Sequence, residues 1–380
     1  MPKVKQPTLL HVTTVPMSLR FIQGQIDFMQ SKGLHVECLC SPGEFTNQFI
    51  EETGVPVHTV VMSRRITPFR DIVALFRIWQ IMRRIRPTIV HAHTPKGGLL
   101  GILGAWLAKC PVKIYGMRGL PCMTETGMKR GLLEITEKIS CLFSNLVIAE
   151  SMSLRKYAID NGLTASRKVI VLGKGSGQGV DAENRFDPKK YDRSAIRNDL
   201  KISKSTLVIG FVGRLVRDKG VNELIEAWKE IRERFADSLL LIVGEFEPQD
   251  PVSSNSRNKL LNDDRVKFLG FREDVELLYA AMDLVVLPTY REGLPNVLME
   301  AASMMLPIVS TNIVGCIDVI ENGVTGILVP PRDVKSLIHA CCLYLDNKAL
   351  RKKHGQAARQ HILTNFLRGR ISDELIAVYN

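Results

Sequence analysis

An α/β fold made of two doubly wound domains, each a parallel sheet covered on both faces by helices, is what this sequence predicts. Three observations lead there. Short, nearly continuous apolar runs rich in Val, Ile and Leu alternate with helical stretches along the whole chain, the pattern of parallel strands buried on both faces. The runs fall into two sets separated by one polar stretch, residues 181–206. The chain has 380 residues, more than one hydrophobic core usually holds, so two domains are the default.

The first set of predicted strands is "LLHVTT" (9–14), "VECLCS" (36–41), "HTVVM" (58–62), "TIVHAH" (88–93), "KIYGM" (113–117), "LVIAE" (146–150) and "VIVLG" (169–173). The second is "LVIGFVG" (207–213), "LLLIVGE" (239–245), "VKFLGF" (266–271), "LVVLPT" (284–289), "PIVST" (307–311) and "GILVP" (326–330). This divides the chain into an N-terminal domain 1–180, a linker 181–206, a C-terminal domain 207–362 and a last helix, 363–380, expected to pack back on the first domain. In open α/β sheets ligands lie beyond the carboxyl ends of the strands, so two such sheets facing each other predict a cleft between domains.

The opening "MPKVKQPTLLHVTTVP" has two lysines but only a short apolar run broken by His11 and threonines, which argues against a cleaved signal peptide. The longest apolar stretch, 97–108, falls short of the roughly 18–20 residues that cross a bilayer, so a cytoplasmic chain that does not span the membrane is expected. The eight cysteines include no C-x-x-C pair and lie in apolar segments, as reduced buried thiols do. Charge is more informative. Residues 1–180 hold 23 Lys and Arg against 11 Asp and Glu, whereas the rest of the chain balances, so an anionic partner is expected for the N-terminal half.

One segment concentrates that charge. "RRITPFRDIVALFRIWQIMRRIRP" (64–87) predicts a helix with Arg70, Arg77 and Arg84 at seven-residue spacing and an apolar body including Phe76, Trp79 and Met82. Two readings fit it: a basic amphipathic helix resting on anionic headgroups, or a crossover helix packed on a sheet with a solvated arginine edge. Nucleic-acid binding is disfavoured because the basic half has no reader motif.

Candidate chemistry follows the strand ends. After strand 207–213, which closes on Gly213, "GRLVRDKG" places Arg214 and Lys219 around a turn ending at Gly220; a guanidinium fork and an ammonium there can clamp a diphosphate. After strand 284–289, "YREGLPNVLMEAASMM" puts Glu292 in a loop, Pro295 in the first turn of a helix and Glu300 in its second turn. Loop and helix amides would face an anion, Glu300 can accept two bonds from a vicinal diol such as a ribose, and Glu292 can orient a sugar hydroxyl. A carboxylate favoured by the helix dipole is the plainer account of Glu292.

In the first half "HAHTPKGG" (91–98) follows strand 88–93. His91 and His93 are read as pointing to opposite faces of the strand, hence a poor metal pair, with His93 nearer the tip and Lys96 available to steer an anionic acceptor. "LGKGSGQGVD" (172–181) leaves backbone amides accessible through its glycines. No D-x-D, G-x-x-x-x-G-K-[ST], G-x-S-x-G or opening G-x-G-x-x-G occurs. What remains is a diphosphate site that needs no metal and no cofactor.

"GRLVRDKG", "REGLPNVLMEAASMMLPIV" with its E-x7-E spacing, and "GCIDVIENGVTGILVPPRDVKSL" (315–337) resemble the signature of the retaining family 4 glycosyltransferases, whose GT-B fold is two Rossmann-like domains. "HAHTPKGGLLG" and "GSGQGVD" are similar to bacterial members that extend lipid-linked oligosaccharides for capsule, O-antigen or glycoprotein assembly. The resemblance implies that Arg214 and Lys219 hold and stabilise the donor diphosphate, that Glu300 binds the nucleotide ribose, and that Glu292 lies near the donor sugar. It lays the backbone of Gly293, Leu294, Pro295 and Asn296 against sugar and phosphates, and makes His93 the histidine that reaches the sugar from the N-terminal domain. In place of the glycine pair that often follows the first strand, this chain has "VPMSLRFIQGQ", with only Gly24.

The implied reaction moves a hexosyl or N-acetylhexosaminyl group from a nucleoside diphosphate sugar, UDP-linked by resemblance, to a polyprenyl-diphosphate-linked glycan, with retention, at the inner face of the plasma membrane. A nucleotide-sugar epimerase or hydrolase of the same architecture, and a non-catalytic nucleotide-sugar-binding membrane scaffold, are the alternatives. Donor consumption without acceptor marks the first, and absence of any turnover marks the second.

Overall fold

The computed structural model describes residues 6–380; the residues before them, with the two lysines weighed against a signal peptide, lie outside the described residues. The chain divides into two units, one holding the chain up to Gly179 together with Gly369–Asn380, the other Val180–Arg368. Every run named above contributes residues to a strand, though Val60–Met62 of the third run lies beyond the strand's end.

The first unit holds β1 (Thr8–Val12), β2 (His35–Cys40), β3 (Val57–Thr59), β4 (Ile89–His93), β5 (Val112–Met117), β6 (Leu146–Ala149) and β7 (Val169–Ile170). They form one parallel sheet in the order β3-β2-β1-β4-β5-β6-β7. β1 and β4 are buried along their whole length, which is why their sequences show no polar alternation. The order reverses between these two strands; their register sets His11 beside His91, and that of β4 with β5 sets His93 beside Gly116.

The second unit holds β8 (Leu207–Val212), β9 (Ser238–Val243), β10 (Val266–Phe268), β11 (Leu284–Leu287), β12 (Ile308–Thr311) and β13 (Ile327–Val329). Their parallel order is β10-β9-β8-β11-β12-β13, with the reversal between β8 and β11. Each reversal leaves the loops after its two central strands diverging, and the crevice between them is where ligands of doubly wound sheets sit.

Stretch 181–206, read as a linker, is folded into the second unit. Val180, Ala182, Phe186 and Ile202 belong to its core, and the helix Arg193–Asp199 starts on an Asp192 side-chain cap. Arg197 is 3% exposed; it pairs with Asp283 at 2.6 Å and bonds the carbonyls of Ala281 and Thr206. Its polar composition reflects a solvated outer face over a few buried anchors, and not a tether. At the other end, the helix Arg368–Tyr379 places Ile371, Leu375, Ile376 and Tyr379 in the core of the first unit.

The predicted basic helix runs Pro68–Ile85 and buries Ala74, Ile78 and Met82, packing against the helix Pro95–Leu107, where Gly104 leaves room for Ile78. It is therefore a crossover helix on one side. Its other side is more than an arginine edge, since Phe69, Ile72, Val73 and Phe76 are exposed beside Arg70, Arg77 and Arg84, while Trp79 is half-buried. All eight cysteines are buried free thiols.

A buried acid in the first unit makes stability depend on pH. Glu137 accepts from the Tyr115 hydroxyl at 2.6 Å, and burial pushes its carboxyl from 4.5 to about 7. The folded state therefore holds this proton more tightly than the unfolded chain, and the group's stabilisation is complete below about 4.5 and is lost as pH rises through about 7. Urea unfolding of the first unit should show a loss of about 3 kcal/mol across that window. Glu137→Gln should flatten it, and an unchanged slope in the variant would exclude Glu137 as its source.

Candidate functional site

In the second unit the candidate residues lie at the carboxyl edge of β8 and β11. After Gly213, the chain passes Arg214 and makes a single 3-10 turn, Arg217–Lys219, that ends at Gly220 with φ 69° and leads into the helix Val221–Arg234. A Cβ on Gly220 would stand 1.9 Å from the Pro288 carbonyl oxygen, so only glycine lets this turn lie against the end of β11. The contact brings the two predicted loops together. Lys219 Nζ reaches Glu292 Oε1 at 2.5 Å; Arg291 bonds Asp218 at 2.8 Å, and the Asp218 carbonyl accepts from the Tyr290 amide and the Thr289 hydroxyl. Arg214, half exposed, pairs with Glu247 at 2.7 Å.

The helix beyond the loop is Asn296–Ser303, so Pro295 is its N-cap residue and not part of its first turn. The residue before the first helical turn is extended, which suits proline equally well. No side chain among the described residues caps this end, and Gly293, Leu294 and Pro295 are buried beside it. Glu300 sits one turn along, accepting from the Tyr279 hydroxyl at 3.0 Å, with its carboxyl raised by burial. Asp218, Arg291, Glu247 and Tyr279 were missed from the sequence. Two of them stand inside the quoted motifs as opposite charges, and that complementarity is the signal that could have paired the loops.

In the first unit the carboxyl edge of β4 carries a buried histidine cluster. His91 and His93 do not point to opposite faces. Residues two apart share a face of a strand, and their rings lie with centroids 4.0 Å apart. His11 Nδ1 and His93 Nε2 are 3.0 Å apart, Arg118 Nε donates to His93 Nδ1 at 3.4 Å, and the Tyr379 hydroxyl contacts His91 Nδ1 at 2.7 Å. The guanidinium always carries its protons, so His93 Nδ1 is the acceptor and its proton is on Nε2, facing His11. A Cβ at Gly116 would come within 2.6 Å of His93 Nδ1, and that missing atom is what admits the rings.

Burial, reinforced by Arg118, lowers His11 to about 3, and burial first, then neighbouring charges, holds His91 and His93 well below the usual range. All three are neutral. Ligand atoms from the three rings lie within 4.8 Å of one another, so this is where a cation could be held, but two of the nitrogens already face each other and the Arg118 charge opposes one. Arg118 is itself paired with Glu150 at 2.7 Å, and Gly177 of the glycine-rich loop lies against both side chains. Arg118, Glu150 and Tyr379 were not legible. Lys96 pairs with Asp71 at 2.8 Å and bonds Thr67 and the Arg65 carbonyl, so in this structure its charge is engaged at the start of the 68–85 helix.

Residues 9–151 match the family described as Glycosyl transferase 4-like, and 192–361 match Glycosyl transferases group 1. The chain is 32% identical over 378 residues to the Staphylococcus aureus capsular polysaccharide biosynthesis glycosyltransferase CapM, covering 99% of this chain and 98% of that one. The chain belongs to the group 1 glycosyltransferases. Another relative of this glycosyltransferase, 24% identical over 351 residues (90% of this chain, 89% of that one), is the Escherichia coli UDP-Gal:alpha-D-GlcNAc-diphosphoundecaprenol alpha-1,3-galactosyltransferase. Among solved structures, Anabaena Alr3699/HepE in complex with UDP-glucose superposes with a TM-score of 0.80 at 20% identity, covering 98% of this chain and 99% of that one. The glycosyltransferase therefore has the GT-B fold expected of it. None of its helices among the described residues is long and apolar enough to cross a membrane.

Proposed function

We propose that this glycosyltransferase moves a hexosyl or N-acetylhexosaminyl group from a UDP-sugar to a hydroxyl of a polyprenyl-diphosphate-linked glycan, with retention and without a metal. The relative that uses UDP-Gal and a diphosphoundecaprenol acceptor supports the substrate classes. The observation that carries the reading is the Lys219–Glu292 contact beside a helix N-terminus that no side chain caps, because it sets an ammonium, a carboxylate and the positive end of a helix in one loop region. A diphosphate entering there would draw Lys219 and Arg214 to its oxygens and release Glu292 to a sugar hydroxyl, while amides of 293–296 face the phosphates. Glu300 is assigned the ribose diol.

In the proposed step the acceptor oxygen bonds to the anomeric carbon from the face the leaving group departs. The anomeric C–O bond to the phosphate breaks with its electron pair on the diphosphate, and a phosphate oxygen takes the acceptor proton. The developing charge is absorbed by Arg214, Lys219 and the helix amides, so no dedicated base is required. His93 has both ring nitrogens engaged within the first unit, Nδ1 by Arg118 and Nε2 toward His11, so it is given no part in this step. For the acceptor side, the exposed Phe69, Ile72, Val73 and Phe76 with Arg70, Arg77 and Arg84 and the half-buried Trp79 favour the headgroup reading of the 68–85 helix at the inner membrane face.

Incubation with UDP-sugars and undecaprenyl-diphosphate-linked acceptors in EDTA, followed by NMR of the anomeric proton, tests this. Transfer with α-linkage from an α-linked donor is expected. Donor consumption without acceptor would replace transfer by hydrolysis or epimerisation, and dependence on added metal would remove the proposed metal-free clamp.

A further inference from the structure

We propose that the first unit carries a phosphate-ester site at the amino edge of its sheet, filled by an anionic lipid headgroup: a cavity of about 470 Å³ lined by Arg83, Arg86, Thr88 and Lys109. The headgroup assignment rests on the membrane reading above. Thr88 precedes β4 and the cavity's Pro111 precedes β5, so the site is separated from His93 by the length of β4, roughly 16 Å at the rise of a strand. It belongs to neither candidate substrate edge.

Backbone geometry and charge together mark the cavity. Arg86 and Lys109 follow the ends of the 68–85 and 95–107 helices, and both have left-handed backbones, φ 54° and 58°. Glycine is the residue that usually takes this conformation at a helix end, because a Cβ is strained there. The hydrogen bonds are those of ordinary helix ends, Arg86 to the Met82 carbonyl and Cys110 to that of Ala105, so the turns favour glycine while the chain supplies two cations. Lys201 and Met305 make the same left-handed turn after other helices; what sets this pair apart is that both residues are cations lining one cavity.

Charge gives the ligand class. No carboxylate lines the cavity, and among the described residues Arg83, Arg86 and Lys109 enter no ion pair. The two helix ends carry about half a negative charge each, which leaves three cations well in excess. Arg83 also shares the outward face of its helix with Phe69, Ile72 and Phe76, at offsets of 3, 7 and 14 residues from Phe69. When those apolar side chains enter a bilayer interface, this end of the helix meets the headgroup layer, which favours a lipid phosphate over a soluble one.

The test is an Arg86→Gly/Lys109→Gly double variant, which suits the backbone at both positions, so its Tm should be unchanged or higher. Sedimentation with vesicles of phosphatidylglycerol and phosphatidylcholine should show binding weakened at least tenfold, while turnover with a soluble acceptor stays the same. An Arg70→Gln/Arg77→Gln/Arg84→Gln variant examines the membrane reading separately, and calorimetry with glycerol phosphate examines a soluble source. If the double variant binds anionic vesicles as the parent does, the cavity site is overturned even though membrane binding stands. If the parent ignores vesicles but binds glycerol phosphate in a manner lost in the double variant, the headgroup assignment is overturned. If it binds neither, both fall.

Discussion

Lys219→Ala is expected to lower kcat by about a hundredfold to a thousandfold and to raise the donor KM more modestly. A cation that acts mainly on the leaving diphosphate is worth that much when removed from a preorganised site. The substitution is tolerable to the fold, because Lys219 stands on a surface turn and its partner Glu292 keeps partial access to solvent; Tm should fall by no more than a few degrees. Lys219→Arg keeps the charge but not the compact head, and should recover only part of the rate. Loss of binding with kcat intact would instead make Lys219 a ground-state contact.

Gly220→Ala should unfold the site physically where Lys219→Ala only removes charge. At φ 69°, with a Cβ only 1.9 Å from the Pro288 carbonyl oxygen, the alanine cannot be accommodated without moving the turn away from β11. Left-handed strain and the displaced backbone together should cost about 3 kcal/mol, a fall of roughly 10 °C in the Tm of a unit this size. The Asp218–Arg291 and Lys219–Glu292 contacts cross the same seam, so activity should disappear below the new Tm as well. A variant with parental Tm and parental kcat would show that the two loops need not touch.

The strands were legible because a strand buried on both faces must be apolar at nearly every position, and few other local structures demand that over five or six residues. The two loops of the second unit were legible too, since glycine, proline and paired charges at strand ends carry local constraints. What joins them was not. Asp218 meets Arg291, and Arg118 meets Glu150, across separations that no periodicity encodes, and Tyr379 reaches His91 from the far end of the chain. Lys96 meets Asp71 from another helix, a pairing the sequence does not display. The histidine reading failed on parity, because a two-residue step along a strand returns to the same face. Stretch 181–206 failed on composition, because Phe186 and Ile202 anchor it with few apolar residues while Arg197 is satisfied by carbonyls that a sequence does not display.

Titration of the intact protein with UDP and with UDP-sugars by isothermal calorimetry, in buffer containing EDTA, addresses the central claim most directly. Saturable one-to-one binding is predicted, weakened in the Lys219→Ala/Arg214→Ala variant and unaffected when magnesium replaces the chelator. Heat-silent titrations across the UDP-sugars with folded protein, or binding that appears only with magnesium, would contradict a diphosphate clamp built from an arginine, a lysine and a helix N-terminus alone.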